Sequence, residues 1–334
     1  MTKTTKTAIN TIVFLALGGF LLYIAVGRTD TAPIWEEIKA ANKFWIFASI
    51  ICGILSHLAR ALRWNLLLEP MGYKASTAAS FHAVIMGYLV NMALPRVGEI
   101  TRPALLSRVE KIPFNKLVGT VVVERVVDLL ITVLIGVAIF FIQFETISTF
   151  ISDLFGGIDT SSTFIYGALG AAGIAALLFI YKKRQWFYNL PIIGKFKSFI
   201  EGLLDGFKTI FSLKRKWLFI FYSLFIWLMY FFMPFFILYA IEGTSHLGVS
   251  AGLTVLLFGT AAMIVPVPGG VGTFELMVPA ALSLYGIGAV VGSSYAILTH
   301  SIQFLVIIGV GIFSIIYFLI KAQQAKKDEL ARNN

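Results

Sequence analysis

The chain has 334 residues, 58% hydrophobic and 13% charged, with a mean hydropathy of +0.86. Soluble domains are about a quarter charged, so this composition excludes an ordinary soluble enzyme and predicts an integral membrane protein. The apolar runs are continuous, unlike the alternation of a β-barrel. The net charge of +10 sits in short loops, with no basic soluble domain for nucleic acid. The lone Cys52 rules out an internal disulfide.

Residues 8–26 follow Lys3 and Lys6 and predict a first span that starts in the cytoplasm. The stretch is too long for the apolar region of a signal peptide. Residues 34–43 predict an amphipathic interfacial helix, and 44–64 a second span ending in LARALRW. The third apolar stretch, 76–94, runs into NMALPRVGEITRP, so 76–116 reads as a broken hairpin. A span at 117–142, a loop at 143–161 and a span at 162–181 follow. Phe196, Phe199, Ile200, Leu203, Phe207, Ile210 and Phe211 recur at helical spacing among lysines, predicting a surface helix at 191–213. Spans at 217–241 and 292–320 flank the second broken region, 251–286, which contains VPVPGGVGTFE. The charged tail, 321–334, is expected to be cytoplasmic.

Loops 96–116 and 182–216 carry five and nine Lys or Arg, whereas 143–161 and 242–250 carry none. Basic loops belong inside. That holds only if 76–94 enters and returns without crossing. Residues 251–265 and 273–286 are each short of the roughly 20 that a span needs, so they read as a second re-entrant pair, with two extra crossings as the alternative. The expected fold is all-α: a polytopic helical membrane protein with about six full spans and two re-entrant broken-helix hairpins. The expected place is the cytoplasmic (inner) membrane, both termini cytoplasmic.

The two breaks echo each other. NMALPRVGEITRPALLS (91–107) and AMIVPVPGGVGTFELMVPAALS (262–283) both run Met, Pro, Val-Gly, then Pro-Ala and Leu-Ser. Paired broken segments point to an inverted repeat around a central site. Half-helix N-termini there suit anions such as phosphate, and glycines allow close approach. The candidate binding residues are therefore Asn91, Arg96, Gly98, Glu99 and Arg102 in the first break. In the second they are Pro268, Gly269, Gly270, Gly272 and Glu275, an intramembrane acid that needs a partner. Arg96 and Arg102 are the expected partners of Glu275. Arg60 and Arg63, which end the second span, are further candidate binding residues, with snorkelling at the interface an equal alternative. Glu124, Arg125 and Asp128 add a further group: Glu124 and Asp128 share a helix face, and Arg125 can reach Asp128. A packing network explains that group equally well. His57, His82 and His300 are too scattered for a metal site and read as helix–helix hydrogen bonders, so no metal or cofactor is expected.

RALRW (60–64), NMALPRVGEITRP (91–103), VVVERVVDLL (121–130) and VPVPGGVGTFE (265–275), in that order, resemble the membrane region of lysylphosphatidylglycerol synthases, a flippase-like family. The resemblance covers nearly the whole chain. It implies movement of an aminoacylated phospholipid between leaflets, with the lipid carried by this chain left open. Aminoacyl transfer would belong to a soluble domain after the last helix, which is not expected here. The resulting expectation is a non-enzymatic lipid translocase whose partner is a phospholipid or other anionic lipid headgroup, with possible help from a separate lipid-modifying enzyme. A membrane-embedded transferase with Glu99 or Glu275 as base, and a non-transporting partner of a lipid-modifying enzyme, are the alternatives.

Overall fold

The computed structural model describes residues 16, 18–24, 31–142, 144, 213–265 and 267–333. Among them all regular structure is helical. Residues 18–24 are helical, followed by α1 (Thr31–Ala40), α2 (Lys43–Leu68), α3 (Thr77–Ala93), α4 (Gly98–Glu110) and α5 (Phe114–Ile142). After residue 212 come α6 (Lys216–Ala240), α7 (Val249–Ile264), α8 (Thr273–Ser283) and α9 (Ala289–Asn333). Among the described residues, three helices are long and apolar enough to cross a membrane, at Lys43–Met71, Lys216–Ala240 and Ala289–Ala325. Large apolar side chains such as Phe221, Leu305 and Phe313 stand exposed on them, as lipid-facing surfaces require. The protein is an all-helical, multi-pass membrane protein.

The chain forms two compact units. The first comprises residues 1–124 and 213–334, and holds both broken hairpins. The second comprises Arg125–Ser212, of which the described part is the C-terminal stretch of α5 and residue 144. The expected span at 162–181 and surface helix at 191–213 lie outside the described residues, save residue 213, as does most of 8–26.

Capping side chains set the helix starts. Asn42 accepts from Phe44 N at the head of α2, and Ser76 from Ala79 N at the head of α3. Asn42 N also donates to Ala240 O at 2.8 Å, which seats the α1–α2 turn on the end of α6. Within unit one, α2 packs along α6. Ser49 Oγ donates to Met233 O at 2.8 Å, and Gly53 admits the Met233 side chain. Pro234 lies within α6, and Tyr295 OH of α9 donates to the Pro234 carbonyl at 2.7 Å. Tyr295→Phe removes that bond from a wholly buried site and is expected to cost about 1–2 kcal/mol, read from thermal unfolding in detergent.

Four elements depart from their expected bounds. Helix α2 runs on to Leu68, so Arg60 and Arg63 lie inside it rather than at its end. The interfacial stretch begins earlier and stops at Ala40. The second apolar piece of 251–286 ends as a helix at Ser283. The last helix continues through the charged tail to Asn333.

Both breaks are helix–turn–helix. The first joins 17 residues of α3 to 13 of α4 through Leu94–Val97. The second joins 16 residues of α7 to 11 of α8 around a 3-10 turn, Pro268–Gly270. At 1.5 Å per residue these helices are about 17–26 Å long, short of a hydrocarbon core of about 30 Å.

Candidate functional site

The first polar group is built on α2. Arg60 and Arg63 are one turn apart on the face that meets α6, and both are buried, at 2% and 0% exposure. They do not snorkel. Arg63 donates from Nη1 to Ser223 Oγ at 3.3 Å and from Nη2 to Glu124 Oε1 at 3.4 Å. Glu124 Oε2 accepts from Arg102 Nη2 at 2.6 Å. One fully buried carboxylate thus bridges two guanidinium groups from different helices. Glu99, half-exposed one turn before Arg102, stands 3.9 Å from it. Trp64 lays its ring 4.9 Å from the Arg102 guanidinium and donates Nε1–H to Thr120 Oγ1 at 2.7 Å. Such an arrangement holds planar donors in fixed orientation, the geometry that binds phosphate or carboxylate by paired hydrogen bonds.

Arg60 extends the group along α2. Its Nη2 donates to Tyr230 OH at 3.0 Å, and that hydroxyl lies 3.1 Å from Tyr88 OH. The His57 ring packs against Tyr88, with centroids 4.7 Å apart. Polar side chains of α2, α3, α4, α5 and α6 therefore form a largely buried ladder between these helices.

The first break borders this ladder. Asn91 Oδ1 accepts from Gly98 N at 2.7 Å and so closes the turn from α3 into α4. A Cβ on Gly98 would overlap the Gly87 carbonyl, so only glycine permits this approach of the two helices. Arg96 stands exposed in the turn at φ 68°, a left-handed conformation.

The second break holds a different group. Glu275 Oε2 accepts from Gly272 N at 2.7 Å, and Oε1 lies 2.5 Å from His300 Nδ1. The other ring nitrogen, Nε2, lies 2.9 Å from the Gly269 carbonyl. The partner of Glu275 is therefore His300 on α9, not Arg96 or Arg102. Arg102 is committed to Glu124, the last residue of unit one's part of α5. Pro268 and Gly270 are buried, and Gly269, Gly270 and Gly272 all have positive φ, between 60° and 85°, which favours glycine.

The echo holds at one level. Gly98 and Gly272 fall at matching Val-Gly positions, and each N–H is held by a side-chain oxygen at 2.7 Å. The breaks also neighbour each other. The Pro268–Gly270 turn packs against α3, the helix that leads into the first break. Helix α3 runs against α9, with His82 beside Ser314 and Tyr317, and Leu89 against Gly311. Its Asn91 end thus points toward the part of α9 that carries His300 and Phe304.

Arg125 and Asp128 lie in the second unit. They are 3.8 Å apart, the i, i+3 pair that their spacing predicts, with Arg125 exposed. Sequence reasoning did not assign His300 to Glu275, and missed Tyr88, Tyr230 and Ser223. Nothing in their spacing marks them, because each meets its partner from a different helix. Trp64 lay within the RALRW motif, but its role as the face beneath Arg102 had no sequence signal.

Comparisons with known proteins agree with this architecture. No solved structure matches the chain. UPF0104 membrane protein MJ1595 of Methanocaldococcus jannaschii is 32% identical over 130 residues, which is 38% of this chain and 37% of that protein. The chain thus spans little more than a third of the length of that relative. The sequence profile described as "Lysylphosphatidylglycerol synthase TM region" matches residues 11–311. With nine-tenths of its length so matched, this helical, multi-pass membrane protein belongs to the family of the lysylphosphatidylglycerol synthase TM region.

Proposed function

We propose that the protein binds the anionic headgroup of a phospholipid or other lipid at the Arg60–Arg63–Arg102 ladder and carries it between leaflets. Its family ties it to lipid handling. The observation that carries the finer reading is the convergence of Arg63 and Arg102 on one buried carboxylate beside a broken hairpin, inside apolar helices. A phosphate entering there competes with Glu124 for two guanidinium forks already in place. Arg96, exposed at the hairpin tip, meets the headgroup first, while acyl chains stay among the exposed apolar faces. The second break, Pro268–Gly272, closes the route from the α9 side. On this reading the protein does no covalent chemistry. It lies in the cytoplasmic membrane with both termini inside, and a separate enzyme makes any lipid that it moves.

The test is a headgroup-exposure assay on vesicles that carry a fluorescent anionic phospholipid. Wild type is expected to speed exchange over empty vesicles. Arg102→Lys keeps the charge but loses the fork, and is expected to slow exchange about tenfold or more. A wild-type rate equal to that of empty vesicles sinks the proposal. A covalently altered lipid, seen by mass spectrometry, replaces it with a transferase.

A further inference from the structure

The Glu275–His300 pair has a feature that lipid binding does not require. A backbone carbonyl only accepts hydrogen bonds, so the 2.9 Å contact between His300 Nε2 and Gly269 O needs a proton on Nε2. With Nε2 protonated, the 2.5 Å contact between Nδ1 and Glu275 Oε1 needs a second proton between those atoms. It resides on the carboxyl or on the ring. Either way the pair is neutral as a whole and holds one proton more than a neutral histidine beside a carboxylate. Glu275 Oε2 is already engaged by Gly272 N–H at 2.7 Å.

Loss of that proton breaks the chain of bonds. If the remaining ring proton stays on Nδ1, a lone pair on Nε2 faces the Gly269 carbonyl. If it stays on Nε2, a lone pair on Nδ1 faces the carboxylate. One end of the latch is lost in each case, and the pair gains a negative charge in a buried site, with side-chain exposures of 4% and 8%.

We infer that Glu275 and His300 form a proton-binding site that latches the Pro268–Gly272 turn to α9, and that proton release frees this turn. The surroundings single out the pair. Helix α7 has no titratable side chain, and Glu275 is the only one on α8. On α9, Tyr295 is engaged with the Pro234 carbonyl, and Tyr317 and Lys321 lie four or more turns beyond His300. On α3, His82 faces Ser314, and Tyr88 faces Tyr230. In residues 18–24, which pack on Gly272, Tyr23 is exposed. Phe274 and Phe304 flank the His300 ring, each with centroids 4.7 Å away. The turn carries glycines at 269, 270 and 272 with positive φ, a conformation that other residues rarely adopt. The proton site stands on this geometry. Its use as the coupling ion for headgroup movement rests on the function proposed above.

The experiment places a reporter thiol at Val271→Cys in a Cys52→Ala background, in vesicles of the full chain. Its labelling by a soluble maleimide is compared with the same protein carrying Glu275→Gln. A glutamine amide donates to Nδ1 and accepts from Gly272 N–H, so that variant stays latched at every pH. Taking the ratio at each pH cancels the reagent's own pH dependence. The ratio is expected near one in acid and to rise about tenfold in alkali, the scale of one charge-assisted hydrogen bond. His300→Phe keeps the ring volume without the bonds and is expected to label fast at every pH. A flat ratio overturns the inference, whatever His300→Phe does. The headgroup assay separates the two readings: a rising ratio without lipid exchange keeps the proton site and sinks transport. A flat ratio with exchange does the reverse.

Discussion

Glu124→Ala is expected to cost about 3–5 kcal/mol of stability, the largest loss from any single polar truncation in the bundle. Glu124 is fully buried, and its two oxygens face Arg63 and Arg102. Removing the carboxylate takes a shared counter-charge from two guanidinium groups that stay out of water. Glu124→Gln preserves the volume and one acceptor, so it is expected to lose less. The effect should be non-additive with Arg102→Met, because the second change removes one of the charges that the first left behind. Thermal unfolding in detergent reads all three variants. Anionic phospholipid added to Glu124→Ala is expected to restore part of the loss, where a zwitterionic lipid restores little. An Ala variant as stable as wild type would show that this carboxylate does not hold the ladder.

Gly98→Ala is expected to cost about 3 kcal/mol or more, above the ordinary range for adding one methylene to a packed site. The new Cβ would overlap the Gly87 carbonyl and crowd Asn91 Oδ1. These are a backbone group and the side chain that closes the turn, so neither gives way cheaply. The helices would have to part, releasing the Asn91 bond to Gly98 N and shifting Arg102, four residues on. Gly119→Ala is the control. Its Cβ meets open space in the helical interior of α5, and the change is expected to be neutral or to stabilise by up to about 1 kcal/mol. Equal unfolding temperatures for the two variants would refute the close packing at Gly98.

Much of the candidate site could be read from residues alone, for reasons that differ. Glu275 and Arg102 stand out because charge inside an apolar run is costly and must be answered. Gly98 and Gly272 stand out because each follows a proline in a stretch that interrupts an apolar segment, where irregular backbone must be satisfied by protein. Arg125 and Asp128 could be paired because an i, i+3 contact is local. Partners across helices could not. Charge and the echo between the two breaks pair Glu275 with Arg96 and Arg102 of the other break. The buried histidine 25 residues away in sequence satisfies it instead. The snorkelling alternative for Arg60 and Arg63 fails because α2 does not end at the basic cluster and both side chains are buried. The helix runs another turn and more, to Leu68.

By itself the sequence determined a membrane-embedded, all-helical chain with two breaks and charges that need answers. Length, hydropathy and the conformational limits of proline and glycine are properties of single residues and their near neighbours. Only the tertiary structure decided which charge answers which: Glu124 for Arg63 and Arg102, His300 for Glu275. Those pairings depend on how helices far apart in sequence are rotated and set against one another. Packing decides that, through contacts such as Gly87 on Gly98 and Gly53 under Met233, and no spacing along the chain encodes it.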